Sequence, residues 1–288
     1  MSTTRHPAVA GRFYPADEDG CMRMLDRMAS TLEVEGLPVG GVFPHAGWIY
    51  SGPTAYRALA AIAPAGAETI VLFGAVHVLD ANDASLYPAG QWETPLGTLE
   101  VDEELADGLA AQEHVSSDAS AHQNEHSIEV QLPLIQHALG DVRILPIMVR
   151  PGPHAVEIGA ACASAAAALG RKTVFLGSTD LTHYGPAFGF ETHGRGQEGF
   201  RWAKEVNDRR LIDLITALDA KRIVPEAMQN RNACGAGAIA ATIGAVREVG
   251  ANRYIELEHT TSVEREPGGM PSSLNSVGYE AGVFTRQA

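Results

Sequence analysis

Short apolar runs recur along the chain, separated by longer segments of helical pattern. Gly40–Pro44 (GGVFP), Thr69–Phe73 (TIVLF), Val142–Val149 (VRILPIMV) and Lys172–Leu176 (KTVFL) are the clearest. Runs of this length, rich in branched residues, predict strands buried on both faces of a sheet. Pro146 predicts an edge position or an irregularity in its strand. The intervening segments predict helices over Pro53–Ile62, Asp102–Ala111, Glu125–Leu139, Pro153–Leu169, Phe200–Leu218 and Gly235–Val249. Arg253–Thr260 and Ser276–Phe284 close the chain as strands, with antiparallel pairing expected near that end. The alternation predicts an α/β fold with a central mixed, largely parallel sheet covered by helices on both faces. No internal repeat, low-complexity block or linker divides the sequence, so residues 1–288 read as a single domain.

Polar residues fall at telling places in this pattern. GGVFP runs into His45-Ala46-Gly47, TIVLFG into Ala75-Val76-His77, and KTVFLGS into Thr179-Asp180-Leu181-Thr182-His183. In open α/β sheets the carboxyl ends of the strands form the binding crevice, so three histidines delivered there can converge. Cys234 precedes Gly235 at a predicted helix start, where the helix N-terminus favours a thiolate. His45, His77, His183 and Cys234 are therefore expected in one pocket. Imidazole suits zinc, iron, copper and nickel, and thiolate suits zinc and copper while also serving iron. A lone loop histidine is ordinarily a surface residue or a cap, and a free cysteine a small buried hydrophobe. That plainer reading is kept for Cys21 and Cys162, and His114, His122, His137, His154 and His193 are read as solvated or structural.

Glu125-His126-Ser127-Ile128-Glu129 is a further segment of interest. If helical, it puts Glu125 and Glu129 on one face and His126 elsewhere. It lacks the second histidine of HExxH, so Glu125 or His126 is expected to reach the pocket behind the ligands. Asp180 or Glu125 is expected to orient a histidine by accepting its second ring N–H. Trp48, Tyr50 and Tyr184 flank the candidate ligands, either lining the pocket or packing against its wall.

Composition narrows the function classes. The 288 residues are 45% hydrophobic and 19% charged, with a formal net charge of −14. An acidic chain repels phosphate backbones and anionic lipid, which argues against nucleic-acid and membrane partners. Three widely spaced cysteines argue against a disulfide framework. Residues 1–15 lack the apolar segment of a secretory signal, and no run approaches the ~18 apolar residues of a membrane span, so a cytoplasmic protein is expected. Phosphate-loop, GxGxxG and GxSxG signatures are absent.

The ordered series of motifs resembles one family. Arg5-His6-Pro7-Ala8-Val9-Ala10-Gly11-Arg12-Phe13-Tyr14-Pro15 resembles the opening of the Memo family (mediator of cell motility), whose prokaryotic members are called AmmeMemoRadiSam system protein B. The resemblance continues through Pro44–Gly52 (PHAGWIYSG), the loop at His77, Thr94-Pro95-Leu96-Gly97, Glu125–Glu129, Ser178–Gly185 (STDLTHYG) and Asn232–Gly235 (NACG), spanning nearly the whole chain. It implies a fold similar to class III extradiol ring-cleavage dioxygenases. His45 and His77 then match two histidine metal ligands, Cys234 the third position, where those enzymes carry glutamate, and His183 their acid–base histidine. The cysteine departs from the two-histidine-one-carboxylate pattern. It is softer, is itself oxidisable, and shifts preference toward copper or zinc, so the dioxygenase reaction does not carry over with the fold. The resemblance implies one transition-metal ion, iron or copper favoured and zinc admitted, and a pathway link to radical SAM and AMMECR-type proteins.

Three functions compete. The first is redox or oxygenase-type chemistry on a small substrate, with His183 moving a proton. The second is a non-catalytic metal-binding or peptide-binding module. The third is hydrolysis by a metal-bound water. An open coordination position marks an enzyme, and four protein ligands mark a closed structural site.

Overall fold

The computed structural model describes residues 3–78, 82–266 and 274–287. Its strands in chain order are β1 (Thr4–Arg5), β2 (Leu37–Phe43), β3 (Thr69–Gly74), β4 (Ala84–Leu86), β5 (Gln91–Thr94), β6 (Gly97–Glu100), β7 (Val115–Ser117), β8 (Arg143–Val149), β9 (Thr173–Ser178), β10 (His183–Tyr184), β11 (Arg253–Thr261) and β12 (Ser276–Arg286). The helices are α1 (Glu18–Met28), α2 (Trp48–Ile62), α3 (Glu103–Ala110), α4 (Leu132–Leu139), α5 (Ala155–Ala168), α6 (Gln197–Trp202), α7 (Arg209–Thr216), α8 (Ala220–Asn230) and α9 (Ala236–Glu248).

A large mixed sheet runs β10-β12-β2-β9-β3-β8-β4-β7, with β11 also paired to β12, and a three-stranded sheet β1-β5-β6 stands beside it. The centre, β2-β9-β3-β8, is parallel. β12 joins β2 antiparallel and β4 joins β8 antiparallel. Helices cover both faces. A side chain at Gly40 would strike Val246 of α9, whereas one at its neighbour Gly41 would strike Ile62 of α2. Successive strand residues point to opposite faces, so α9 and α2 lie on opposite sides of the sheet. At Gly40 the approach leaves no room for a Cβ, and at Gly41 the crowding comes from the Gly282 carbonyl at 2.9 Å as well as from Ile62. One apolar core links both layers, with Phe43, Ile70, Phe73, Leu145, Leu176 and Ile239 fully buried in it.

Several elements differ from the sequence expectation. β8 is an interior strand between β3 and β4, not an edge. Pro146 is accommodated because β4 is short: its pairing ends at Leu86↔Ile147, one residue before the proline needs a partner. The Pro146 carbonyl still accepts from the Tyr87 N–H at 3.0 Å. α2 begins at Trp48, five residues before Pro53, because the Gly47 carbonyl already accepts the Ser51 N–H at 3.1 Å. Residues 125–128 are not helical; a short 3₁₀ turn, Glu129–Gln131, leads into α4. The long helix expected over 200–218 is broken by a π-helical stretch, Ala203–Asp208. That bulge turns Asn207 and Asp208 inward, where Asp208 Oδ1 accepts the Thr182 N–H at 2.9 Å and Asn207 Nδ2 donates to Thr182 Oγ1 at 3.1 Å. The Gly/Pro-rich segment Glu264–Leu274 falls outside the described residues over 267–273. No described helix is long and apolar enough to cross a membrane.

Candidate metal centre

The parallel strands deliver their ends to one edge of the sheet. His45 follows β2, His77 follows β3 and Asp180 follows β9, while Cys234 sits two residues before α9. The ring centroids of His45 and His77 are 5.1 Å apart, and Cys234 Sγ lies 3.3 Å from His45 Nε2.

The hydrogen bonds fix which ring nitrogens face the pocket. Ser178 Oγ donates to the Ser127 carbonyl at 2.7 Å, so at His45 it accepts, from Nδ1–H at 2.9 Å. His45 Nε2 is therefore the nitrogen that faces the thiol. His77 Nδ1 donates to Glu125 Oε1 at 3.0 Å, which leaves its Nε2 as the free nitrogen. Glu125 is buried and also accepts the backbone N–H groups of His77 (2.6 Å), His126 (2.8 Å) and Ser127 (2.9 Å). Burial opposes its charge, but these bonds and the His77 ring hold its carboxyl well below the usual range. Asp180 serves the backbone instead: its Oδ1 accepts the His45 N–H at 2.8 Å.

The thiol is electronically prepared. Burial opposes ionisation of Cys234. The His45 ring and hydrogen bonds from His45 and His77 outweigh it, and the thiol is pushed down to about 6. The Asp180 N–H also donates to Sγ, at 3.2 Å. Burial lowers the His77 basicity, but its bonds to Cys234 and Glu125 reverse this and push the ring up to about 10. Burial holds His45 below its ordinary value.

His126 adds a third imidazole. One donor nitrogen each from His45, His77 and His126 lies within 4.8 Å of the other two. Its ring is 4.7 Å from that of His77 and 5.4 Å from that of His45. Burial, then the neighbouring His77, depress it to about 4, so it is neutral. The expectation that His126 points elsewhere rested on a helix that does not form. Phe13, from the amino-terminal motif, packs against the opposite side, its ring 4.7 Å from that of His126.

That motif straps the 122–129 segment in place. Arg5 is buried, donates to the carbonyls of His122 (2.9 Å) and Glu125 (2.8 Å), and pairs with Glu129 at 2.8 Å. Glu129 also takes the N–H groups of Ala8 and Val9 and the Tyr14 hydroxyl. Glu129 thus does not share a helix face with Glu125; it anchors the strap.

His183 lies on β10, five residues beyond β9, where it pairs in register with Val277 of β12. Its Nδ1–H donates to the Leu181 carbonyl at 3.0 Å, leaving Nε2 free, and its ring meets Phe188 edge-on at 5.0 Å. His183 and Cys234 line a common cavity of about 290 Å³, together with Pro151, Met228 and Arg231. Trp48 and Tyr184 are core residues. Trp48 donates to the Val130 carbonyl at 3.0 Å. Tyr184 donates to the Gly194 carbonyl and packs among Phe190, Phe200 and Trp202. Tyr50 remains exposed on the first turn of α2. Sequence reasoning missed Ser178 altogether, although its place at the end of β9, beside the end of β2, was a usable signal.

The residues fit a transition metal. Two imidazole rings are held by Nδ1–H bonds to a hydroxyl and a carboxylate, so their Nε2 atoms face a thiol that ionises readily, and a bound ion would displace the protons shared there.

A family model described as Memo-like protein matches residues 5–283. A MEMO1 family protein of Thermococcus onnurineus is 39% identical over 295 residues, covering 98% of this chain and 99% of its own. A MEMO1 family protein of Methanosarcina acetivorans is 38% identical over 284 residues, covering 96% and 97%. Among solved structures, an uncharacterized protein of Escherichia coli K12 gives a TM-score of 0.45 at 15% identity, over 84% of this chain and 98% of that one.

Proposed function

The chain belongs to the Memo-like protein family, and from that premise we propose that it binds one transition-metal ion and carries out redox or oxygenase-type chemistry on a small molecule. One observation carries the metal reading: His45 and His77 have their Nδ1–H groups committed and their Nε2 sides turned to a thiol pushed down to about 6. His45, His77 and Cys234 would hold the ion. The nitrogen–sulfur donor set suits copper and zinc and serves iron, and a redox-active ion would supply one-electron chemistry. This chain's own contribution is positional. The cavity beside Cys234 admits a small molecule, and His183 presents Nε2 to it as the group that accepts or returns a proton. The link to radical SAM and AMMECR-type proteins rests on the family resemblance.

The third imidazole favours a second reading. If His126 binds with His45, His77 and Cys234, four protein ligands close the site, as in structural zinc centres, and the protein is a metal-binding module without turnover.

Elemental analysis of protein purified without oxygen or an affinity tag, alongside Cys234→Ser and His126→Ala, separates the readings. About one equivalent of metal, lost in Cys234→Ser and retained in His126→Ala, supports an open site and the redox reading. Loss in both variants supports the closed module. Full metal content in Cys234→Ser removes the thiolate from the ligand set and sinks the proposed centre. His183→Ala is expected to keep the metal and abolish turnover of any substrate found.

A further inference from the structure

A second group of donors converges on the same edge of the sheet, toward its far end. Ala84 of β4 pairs in register with both Val115 of β7 and Val149 of β8. The residues that precede Ala84 and Val115 are Asp83 and His114, so the ladder itself sets them side by side. The Ala84 N–H donates to the His114 carbonyl at 3.1 Å, and the Arg150 N–H to the Asp83 carbonyl at 3.0 Å. His154 is the N-cap residue of α5, which follows β8. One donor atom each from Asp83, His114 and His154 lies within 4.8 Å of the other two. From the sequence, both histidines read as solvated or structural; it is the sheet register that brings them together.

We propose that Asp83, His114 and His154 form a second metal site, taking a divalent first-row ion of the zinc and cobalt class.

His154 Nδ1 is 3.2 Å from Glu157 Oε2, and His114 Nδ1 is 3.1 Å from Asp83 Oδ2. A carboxylate behind the imidazole fixes the tautomer and raises the basicity of the opposite nitrogen. His154 therefore offers Nε2. At His114 the ion takes the place of the proton now shared with Asp83. That proton moves to Nε2, on the side of the ring where the Glu113 carboxylate lies 3.7 Å away. The two rings stack with centroids 3.6 Å apart and planes 7° from parallel. Tilting about χ2, a broad torsion, turns both lone pairs onto one ion. The backbone at His114 has φ 69°, a left-handed conformation that side chains seldom adopt and that gathers at functional positions. The side chains of His114, His154 and Asp83 are 28%, 36% and 38% exposed, which leaves the site open to an ion and its waters. Two nitrogens and one oxygen match borderline divalent ions and lack the sulfur that favours copper(I).

The test uses the full chain carrying His45→Ala and Cys234→Ser, which removes the first centre, titrated with Co(II) by absorbance and with Zn(II) by calorimetry. One remaining equivalent is expected, without the sulfur-to-cobalt band that a Cys234-bound ion gives. Adding Asp83→Asn or His154→Gln is expected to weaken it by about tenfold or more. Two separate variants, each with its circular dichroism and melting temperature recorded, guard against a folding defect in either one. Affinity unchanged in both, or no binding in the starting variant, overturns the proposal. The sulfur band in the wild-type chain reports the first centre alone, so failure of that reading is visible independently.

Discussion

Ser178 has one proton, and it goes to the Ser127 carbonyl; all that remains for His45 is an acceptor. This one hydroxyl decides which imidazole nitrogen faces the pocket. Ser178→Ala removes the acceptor, lets the ring adopt either tautomer, and is expected to weaken metal binding about tenfold to a hundredfold with the fold intact. Metal titration with circular dichroism checks both halves. Glu125→Gln is expected to act on His77 in the same way and more strongly, because the amide also mismatches the three backbone N–H groups that Glu125 now satisfies. The histidines and Cys234 were legible in the sequence because each follows an apolar strand or precedes a helix, where backbone topology alone dictates position. Ser178 was not, and His126 was expected only behind the ligands rather than among the converging imidazoles. A serine at a strand end has many ordinary uses, and the direction of His126 depends on a non-helical turn held by Arg5, more than a hundred residues earlier.

Two junctions between elements hold the site together. Gly235 lies where α9 starts against the end of β9, and a Cβ there would come within 2.3 Å of the Ser178 carbonyl oxygen. Gly235→Ala is therefore expected to push α9 and Cys234 away from β9, costing about 1–3 kcal/mol by denaturant unfolding and lowering metal content with it. The amino-terminal strap is the other junction. Arg5 is stacked on Trp92 at 4.1 Å and paired with buried Glu129, so Arg5→Ala leaves a charge without its partner. A loss of about 3–5 kcal/mol is expected, measured by urea titration. At this scale the parallel centre of the sheet and most of its helices were legible, because unbroken apolar runs and alanine-rich periodicity are local signals. The three-stranded sheet, β4, β7 and α8 were not. The strands there are two to four residues long and are defined by their partners rather than by their own pattern.

Across the whole molecule, Glu280 of β12 links stability to pH. Burial pushes its carboxyl up to about 8 from an ordinary 4.5, with Tyr254 donating a hydrogen bond to it and Glu256 and Arg209 near by. The folded chain thus holds a proton that the unfolded chain releases. The stabilisation is complete below the ordinary value and is lost as pH rises through the raised one, at about 1.4 kcal/mol per unit between them. The wild type is expected to lose at least about 2 kcal/mol between about pH 5 and about pH 8, and Glu280→Gln markedly less, by urea unfolding at each pH. The layered architecture and antiparallel pairing near the carboxyl end were legible in the sequence, whereas this proton-holding contact depends on the register of β11 against β12, which no local pattern specifies. The strap described above also has a consequence for biosynthesis. Arg5 leaves the ribosome 124 residues before Glu129, and His45 precedes Cys234 by 189. A nascent chain thus carries its first clamp residue and two histidines long before anything can close around them. Under the proposed metal centre, the full ligand set can assemble only once Cys234 has emerged, and a product truncated before it would lack the thiolate.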